Sequence, residues 1–383
     1  MYFKHELVRH EKSIDLSDTF KFDELPETGL SSGLIIWIHT PLTSGAHYGY
    51  DGKTRIVDYI DKVQLITDGK RPLRDLTGPQ VQALNFWNTG EVAADHLSDP
   101  CIGPQYCQLV LPFGRRLYDN KFYLNWEDYS SVELDVTNSL TAALHTSADI
   151  TIENVKLMDA EGIAPSEGVF QERSWREWAT VQNATEYFKP PIGNKYRRII
   201  LQCEPAITTS APYRRKRGFF HLAEEVKLAF KDYEETAFDG YGRYLLYRNA
   251  SEWPHIPQTD GLLIASLDGS SHVNTGIGYR ESSVVSKGEV ATSLTEMNFG
   301  VYTYNDDLMV VYYDTGTNQY IFWSAKGFGY QNTLALLFNH IDEPEYYIDS
   351  NEKATINLDV KTENNANAAG GTNRIILSEL VEK

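Results

Sequence analysis

Cysteine is scarce in this chain: Cys101, Cys107 and Cys203 are the three cysteines among 383 residues. An odd number of thiols cannot all pair within one chain, and the spacing of these three matches no metal-binding motif. A disulfide framework and a cysteine metal centre are therefore not expected. The pattern favours inert buried thiols or a chain that stays in a reducing compartment.

Long apolar runs are also missing. No stretch approaches the ~20 apolar residues that a membrane-spanning helix requires. The opening residues, MYFKHELVRHEKSIDLSD, carry charges every few positions and contain no apolar segment of the kind found in signal peptides. The sequence therefore predicts a protein that is made and folds in the cytoplasm.

Basic residues are too few for a nucleic-acid binder. The chain has 35 Lys and Arg against 53 Asp and Glu, a formal charge of −18, whereas phosphate contacts need clustered basic side chains. The basic run Arg214–Arg217 is interpreted either as a solvated loop or as a contact for an anionic partner, such as a phospholipid headgroup or an acidic neighbouring subunit. No direct contact with nucleic acid is predicted.

Catalytic and cofactor motifs are missing as well. The ten histidines show no His-x-His or His-Glu-x-x-His spacing, which argues against the metal site of a two-domain cupin. Gly29-Leu-Ser-Ser-Gly33 has the spacing of a nucleophile elbow, but a strand rather than a helix follows it, so a turn is predicted. Gly327-Phe-Gly329 lacks a βαβ frame and is also predicted to be a turn. No catalytic residue, no cofactor and no enzymatic activity are predicted.

Two acidic stretches offer oxygen atoms to a hard cation such as Ca²⁺: Asn305–Asp307 and Asp342–Glu345. Acidic loops are more often only solvated, so no bound metal is predicted. Carboxylates on the rims of stacked subunits remain a place where an assembly could hold cations.

Aromatic residues, by contrast, are abundant: 24 Tyr, 16 Phe and 7 Trp. Tyrosine suits half-buried strands and protein interfaces. Apolar and polar residues alternate in Val132–Val136 and Ala354–Lys361, and the turn residues Asp314–Asn318 predict a hairpin between the strands on either side. Many short strands separated by turn signals are typical of β-sandwiches.

One short helix is predicted between the strands. Thr77 followed by Gln80 forms a capping box, and Pro79 is tolerated in the first helical turn. Apolar residues recur at three-residue intervals up to Trp87, and Gly90 is a suitable end.

The two halves of the sequence follow the same order of elements, which indicates a duplication. A shift of 163 residues places Val63-Gln-Leu65 on Val226-Lys-Leu228 and Ile36-Trp-Ile38 on Ile199-Ile-Leu201. With a slip of two residues, Leu84–Asn88 falls on Leu245–Asn249. Chance similarity between strand-rich segments is the alternative explanation, because identity between the halves is low.

Length and strand count together predict an all-β fold: two eight-stranded jelly-roll β-sandwiches in tandem, a double jelly roll, with a few short helices. Residues 1–25 are polar and are interpreted as an N-terminal arm. The first jelly roll is assigned to 26–190 and the second to 191–383, since Pro190 and Pro191 are the best candidate linker.

The sequence resembles the double jelly-roll major capsid proteins of tailless icosahedral viruses, often with an internal membrane, including bacteriophages. The resemblance rests on Leu111-Pro-Phe-Gly-Arg115, on Asp119 and Leu124 downstream, and on Ser131-Val-Glu-Leu-Asp-Val136. It covers about residues 29–381.

That resemblance implies a structural virion protein whose homotrimers form pseudo-hexameric capsomers. It implies neighbouring capsomers, penton proteins and minor capsid proteins as partners, and it brings no catalytic or cofactor residue. Contact of the N-terminal arm with an internal viral membrane stays open, because the arm is short and polar rather than a clear amphipathic helix.

Two other interpretations also fit paired sandwiches. A glycan-processing hydrolase would use Glu167, Glu172 and Asp128 as candidate carboxylates, and needs two carboxyl groups roughly 5 to 9.5 Å apart in a cleft. A carbohydrate-binding module would instead present exposed aromatic residues in a shallow groove.

Overall fold

In the part of the chain that the structure describes, nearly all of the regular secondary structure is β-strand. A computed structural model describes residues 2–41, 56–90, 104–142, 145–159, 164–204, 225–230, 235–241, 259–267, 284–289, 300–304, 308–312, 319–327, 333–338, 342–353, 355–362 and 371–382. Within those ranges it forms 23 strands, one α-helix and a few short 3-10 turns. In the same ranges, no helix has the length and apolar character needed to cross a membrane.

The first sandwich is built by nine strands: β1 (Tyr2–Ile14), β2 (Thr19–Phe22), β3 (Leu30–Pro41), β4 (Ile60–Thr67), β5 (Arg71–Leu76), β6 (Pro104–Pro112), β7 (Leu124–Asn125), β8 (Val132–Asn138) and β9 (Ala148–Met158). One layer has the order β1-β9-β3-β6, with the short β7 added beside β3, and the other has the order β2-β8-β4-β5. Neighbours within each layer are antiparallel. This interleaved order of eight strands in two layers is that of a jelly roll.

The second sandwich repeats the order with the strands β10 (Val169–Ala179), β11 (Thr185–Phe188), β12 (Lys195–Glu204), β13 (Glu225–Phe230), β14 (Glu235–Tyr241), β20 (Thr333–Leu337), β21 (Ile348–Asp349), β22 (Ile356–Lys361) and β23 (Thr372–Val381). Its layers are β10-β23-β12-β20, with β21 beside β12, and β11-β22-β13-β14. The predicted fold class, two jelly rolls in tandem, is confirmed by this topology.

Five further strands lie between β14 and β20: β15 (Thr259–Leu267), β16 (Val284–Glu289), β17 (Gly300–Tyr304), β18 (Leu308–Tyr312) and β19 (Gln319–Gly327). The hairpin predicted at Asp314–Asn318 is wrong, because β18 pairs with β17 while β19 pairs with β15 and β16. The connection from β17 to β18 is the shorter one, and short connections favour hairpins.

The two sandwiches also share their irregularities. The pairing of β3 with β9 skips Ser32, and that of β12 with β23 skips Arg197. The register of β4 against β5 changes after Leu65, and that of β13 against β14 changes after Leu228. Because β-bulges are specific features of a backbone, bulges at matching places support a duplicated plan.

The bulges also fix which residues are equivalent. Leu65 and Leu228 match at the predicted shift of 163. In β3, however, the shift is 165, so Leu34 and Ile36 correspond to Ile199 and Leu201. A slip of two residues keeps each side chain on the same face of a strand, which is why the sequence comparison found a plausible but wrong match there. The predicted match of Leu84–Asn88 to Leu245–Asn249 lies partly outside the described residues.

Two predicted boundaries are wrong. Residues 1–25 are not an arm, because β1 pairs with β9 and β2 pairs with β8 inside the first sandwich. The division does not fall at Pro190, because β10 pairs with β23 and β11 pairs with β22, so the second sandwich begins at Val169. The sequence concealed β1 because a strand at the edge of a sheet, largely open to solvent, shows no apolar alternation.

The predicted helix is confirmed as α1 (Gly78–Thr89). Thr77 Oγ1 accepts a hydrogen bond from the backbone N–H of Gln80, and Gln80 Oε1 accepts one from the backbone N–H of Thr77. Gly90 ends the helix at φ 76° and donates its N–H to the carbonyl of Phe86. A residue with a side chain is disfavoured in that left-handed conformation.

The hydrophobic cores of the two sandwiches are not separate. The larger core contains both layers of the first sandwich and α1, and it also includes Ile200, Ala335 and Ile376 from the second sandwich. A second core, which includes Leu228 and Leu358, fills the second sandwich. Burying each such aliphatic side chain stabilises the fold by about 1.5–3 kcal/mol, so the shared core holds the sandwiches together.

Candidate functional site at the junction of the two sandwiches

A short parallel contact joins the two sandwiches into one sheet. Glu172 of β10 lies opposite Arg74 of β5, and Arg173 lies opposite Asp75. The two layers thereby become one continuous sheet with the order β2-β8-β4-β5-β10-β23-β12-β20. Two residue pairs provide few backbone hydrogen bonds, each worth about 0.5–1.5 kcal/mol. Side chains must therefore supply much of the stability of this region, which we call the junction.

Arg74 is the polar centre of the junction and is fully buried. Its guanidinium donates to the carbonyls of Leu73, Phe170 and Pro112, so it ties β5, β10 and β6 together. Arg74 Nε lies 3.3 Å from Glu172 Oε2, and Glu172 also accepts a hydrogen bond from Ser378 Oγ. A buried charge is tolerated when it is paired and hydrogen-bonded.

Two arginines of β12 bind the end of α1. Arg197 Nη1 donates to Asn88 Oδ1 at 2.8 Å, and Arg198 Nη1 donates to the carbonyl of Trp87 at 2.6 Å. The last carbonyls of a helix lack partners within the helix and favour cations. Trp87 Nε1 in turn donates to Thr333 Oγ1 of β20 at 2.9 Å, so α1 is fixed to two strands of the second sandwich.

Two loops close the junction, residues 113–123 of the first sandwich and residues 342–347 of the second. Arg115 forms two hydrogen bonds with the carboxylate of Asp119, of 2.7 and 3.1 Å. It also donates to Glu343 Oε1 at 2.9 Å, and Lys121 donates to Glu343 Oε2 at 2.9 Å. Glu343 is thus held by two basic residues of the other sandwich.

Asp342 belongs to the same network. Its carboxylate accepts from Arg197 Nε at 2.8 Å and from the hydroxyl of Tyr347 at 2.9 Å. Burial alone would raise the pKa of Asp342, but Arg197 and then Arg198 lower it well below its usual range. Burial, together with the neighbouring Arg197, lowers the pKa of Arg198 to about 10. All three groups therefore stay charged at neutral pH.

Phe170 fills the apolar part of the junction. Its ring lies 5.2 Å from that of Phe122 and 6.1 Å from that of Tyr347, and the Arg197 guanidinium lies 5.0 Å from its centroid. Its backbone N–H donates to the carbonyl of Phe113 at 3.1 Å. Aromatic rings and arginine are enriched at the centres of protein interfaces, and the junction has that composition.

The arrangement holds two bodies together rather than performing a reaction. Its acidic side chains, Glu172, Asp119, Asp342 and Glu343, are each engaged by an arginine. A general acid or base needs access to a substrate proton, and a carboxylate that already binds a guanidinium does not offer it.

The candidate hydrolase carboxylates lie in different environments. Glu172 is buried in its ion pair with Arg74, whereas Glu167 and Asp128 are exposed. The buried carboxylate of this set is therefore committed to the junction. Nothing in this arrangement favours the hydrolase alternative.

The other residues selected from the sequence have varied outcomes. Ser31 lies inside β3 and donates to Asn154 Oδ1 at 2.5 Å, so the Gly29–Gly33 segment is neither a nucleophile elbow nor wholly a turn. Gly33 is required for space, because a Cβ there would come within 2.7 Å of the Leu111 carbonyl. Asp342 and Glu343 bind basic side chains, as described above.

Cys107 and Cys203 are both buried, which agrees with one of the two interpretations given for the thiols. The basic run at Arg214–Arg217, the acidic stretch at Asn305–Asp307 and Cys101 lie outside the described residues.

Sequence reasoning missed the junction. Arg197 and Arg198 stand directly before an apolar run in β12, and the sequence analysis assigned them no role. The available signal was two charged residues within an otherwise apolar strand, because a charged side chain that is buried with its strand requires partners.

No protein-family model matches the sequence, and no curated protein matches it. Solved structures do match. The MCP of STIV (Sulfolobus Turreted Icosahedral Virus) aligns with TM-score 0.57 and 10% identity over 99% of this chain and 97% of that chain. The major capsid protein P2 of bacteriophage PM2 aligns with TM-score 0.53 and 9% identity over 100% and 99%.

A chain of the PBCV-1 virus capsid aligns with TM-score 0.57 and 8% identity, over 99% of this chain and 93% of that chain. At such low identity these alignments show the fold. They extend over both sandwiches and nearly the full length of each matched chain, so the tandem arrangement itself is shared.

Proposed function

We propose that this chain is a structural virion protein, the major capsid protein of an icosahedral virus, and that it acts as a homotrimer. The observation that supports this most is the complete repetition of one jelly roll, joined through β5 and β10 into a continuous sheet. A trimer of such chains presents six similar bodies around one axis. Six similar bodies tile a hexagonal lattice.

The comparisons support the same proposal. The matched solved structures include a major capsid protein and a chain of a virus capsid, and 99% and 93% of their lengths correspond to this chain. The proposed location is the virion, after synthesis in the host cytoplasm. The proposed partners are two further copies in the capsomer, neighbouring capsomers, and penton and minor capsid proteins.

The N-terminal residues are not proposed as a membrane contact, because they form β1 and β2 of the first sandwich. The hydrolase alternative is not proposed either. Its buried candidate, Glu172, is held by Arg74 and Ser378.

The oligomeric state of the purified chain tests the proposal. Size-exclusion chromatography with light scattering should give about three times the chain mass of 43.5 kDa, and electron microscopy of the same peak should show particles of hexagonal outline. A persistent monomer whose melting temperature rises with added glycans would contradict the proposal and favour a carbohydrate-binding module.

A further inference from the structure

Among the strands that the structure describes, one junction between sandwiches is completed, and two equivalent strand edges have no neighbour. The completed one pairs β5, the last strand of its layer, with β10, the first strand of the next sandwich. The duplication makes β14 the equivalent of β5 and β1 the equivalent of β10. Among the described strands, β14 has β13 as its single neighbour and β1 has β9.

Burial differs between the equivalent strands in a way that indicates a missing neighbour. The pairing of β1 with β9 skips Val8, and that of β10 with β23 skips Trp175, so these two residues are equivalent. Residues 169–172 of β10, which face β5, are all buried. Residues 2–5 of β1 are exposed or half-buried, and Tyr2 is 52% exposed.

The residues that meet at the completed junction recur at the open edges. Phe170 donates its backbone N–H to the carbonyl of Phe113. By strand register, the equivalent of Phe170 is Phe3 and the equivalent of Phe113 is Phe338. Both pairs are phenylalanines in a duplication whose overall identity is low.

We propose that β14 of one chain pairs in parallel with β1 of a second copy, with Phe238 opposite His5 and Asp239 opposite Glu6. Arg74 lies opposite Leu65, and Phe238 lies opposite Leu228, which is the residue equivalent to Leu65. Phe238 is therefore equivalent to Arg74, and this equivalence sets the register. The inference rests on the proposed function, because it names the contact that builds the homotrimer.

This contact satisfies both open edges at once. Each chain offers β1 to one neighbour and β14 to another, so the interface is heterologous and closes into a ring when the rotation is threefold. The four-stranded layers β11-β22-β13-β14 and β1-β9-β3-β6 then join as the layers of the continuous sheet do. A strand as long as β1 with an unpaired edge otherwise invites uncontrolled association.

The chemistry at the second contact differs from that inside the chain. Inside the chain, Arg74 and Glu172 form a buried ion pair. In the proposed contact between chains, the equivalent positions are occupied by Phe238 and His5. The His5 ring nitrogen Nε2 lies 2.9 Å from the Tyr118 hydroxyl, and the rings of Phe3 and Tyr118 are 5.2 Å apart. Tyr118 is 49% exposed, so an aromatic side chain next to β1 is accessible to a neighbouring chain. Aromatic groups of this kind are enriched at interfaces.

Disulfide trapping tests the register directly. Residues opposite each other on paired strands have Cα atoms within reach of a disulfide. The double variant His5→Cys with Phe238→Cys should form covalent dimers and trimers on a non-reducing gel, and these should disappear on reduction. Each single variant controls for the native cysteines. The double variant Lys4→Cys with Phe238→Cys is the register control, because Lys4 points to the opposite face of the strand, and it should link at least tenfold less.

A second measurement avoids oxidation. His5→Asp together with Tyr118→Ser should weaken the trimer at least tenfold in concentration-dependent light scattering, with an unchanged circular dichroism spectrum. Tyr187→Asp, which alters an exposed aromatic residue of β11, should leave the trimer intact. Trimers that neither cross-link nor respond to the edge variants would overturn this inference and leave the proposed function standing, whereas a wild-type monomer would overturn both.

Discussion

The two sandwiches share a bulge and a loop at equivalent places, but different side chains connect the two features. Ser32 and Arg197 are the bulge residues of β3 and β12. Tyr118 and Asp342 each lie six residues before the short strands β7 and β21, and both have a positive φ, of 66° and 54°. In the first sandwich, Ser32 Oγ accepts a hydrogen bond from the backbone N–H of Tyr118. In the second, the side chain of Arg197 binds the carboxylate of Asp342.

This difference shows that two copies of one backbone can use different side chains for the same contact. Both sandwiches connect the bulge to the same loop, but one uses a hydroxyl and the other an ion pair. The ion pair of the second sandwich lies against the first sandwich. Arg197 also donates a hydrogen bond to the carbonyl of Arg115 across the junction. The fold therefore fixes the position of the contact, and the side chains adapt each copy to its surroundings.

The largest expected effect comes from removing the charge at the junction. Arg74→Met leaves Glu172 buried without its cationic partner and removes one donor from each of three carbonyls. Loss of one member of a buried pair costs about 3–5 kcal/mol, so the free energy of unfolding measured with urea should fall by that amount.

The matched control for Arg74→Met is the double variant with Glu172→Met. Replacing both members of a buried ion pair with apolar residues is often neutral, and the double variant should recover most of the loss. A single variant that loses less than about 1 kcal/mol would show that the ion pair, despite its burial, contributes little to the junction.

A smaller effect, and a pH dependence, are expected at Asp342. Hydrogen bonds to a charged group contribute about 1.5–3 kcal/mol, so Asp342→Asn should lose about that much at pH 7. Because the folded pKa of Asp342 lies below its unfolded value, its contribution is complete above about pH 4, near the ordinary pKa of a carboxyl group. The contribution is lost as the pH falls through the folded pKa.

The stability difference between wild type and Asp342→Asn should therefore shrink as the pH is lowered below about 4. Denaturant unfolding at several pH values measures it. Asp23→Asn, which changes an exposed carboxylate, is the control and should change stability little at any pH. A difference that stays constant down to strongly acidic pH would contradict the assignment of the stability to the Asp342 carboxylate.

The smallest expected effect compares two buried tryptophans. Trp87 donates its Nε1–H to Thr333 across the junction, whereas Trp126 Nε1, in the core of the first sandwich, has no hydrogen-bond partner among the described residues. Changing each to Phe removes similar apolar area. The Trp87 variant should therefore lose about 0.5–1.5 kcal/mol more than the Trp126 variant, as measured by denaturant unfolding. Equal losses would mean that this hydrogen bond adds nothing to the junction.

Local patterns in the sequence were enough for the fold class. The alternation in β22 and β8 is visible because one face of each is buried and the other is partly open. The capping box at Thr77 depends on two side chains three residues apart, so it was predictable too. The topology follows from recognising that this order of elements occurs twice.

The junction could not be predicted in the same way. Arg74 finds its partners on β6 and β10, far away in the chain, and a charged residue in a short strand is normally solvated. The division at Pro190 failed for a related reason. Strands β10 and β11 precede those prolines, and their partners β23 and β22 lie near the end of the chain.

The five strands β15–β19 have a consequence for how such a chain diversifies. Among the described strands they pair only with one another, and they are inserted between Tyr241 and Thr333. A segment that is inserted between two strands can be lengthened, shortened or replaced while the strands of the surrounding sandwich keep their register. Peptides grafted into this insertion should therefore leave the strand pairing of both sandwiches unchanged.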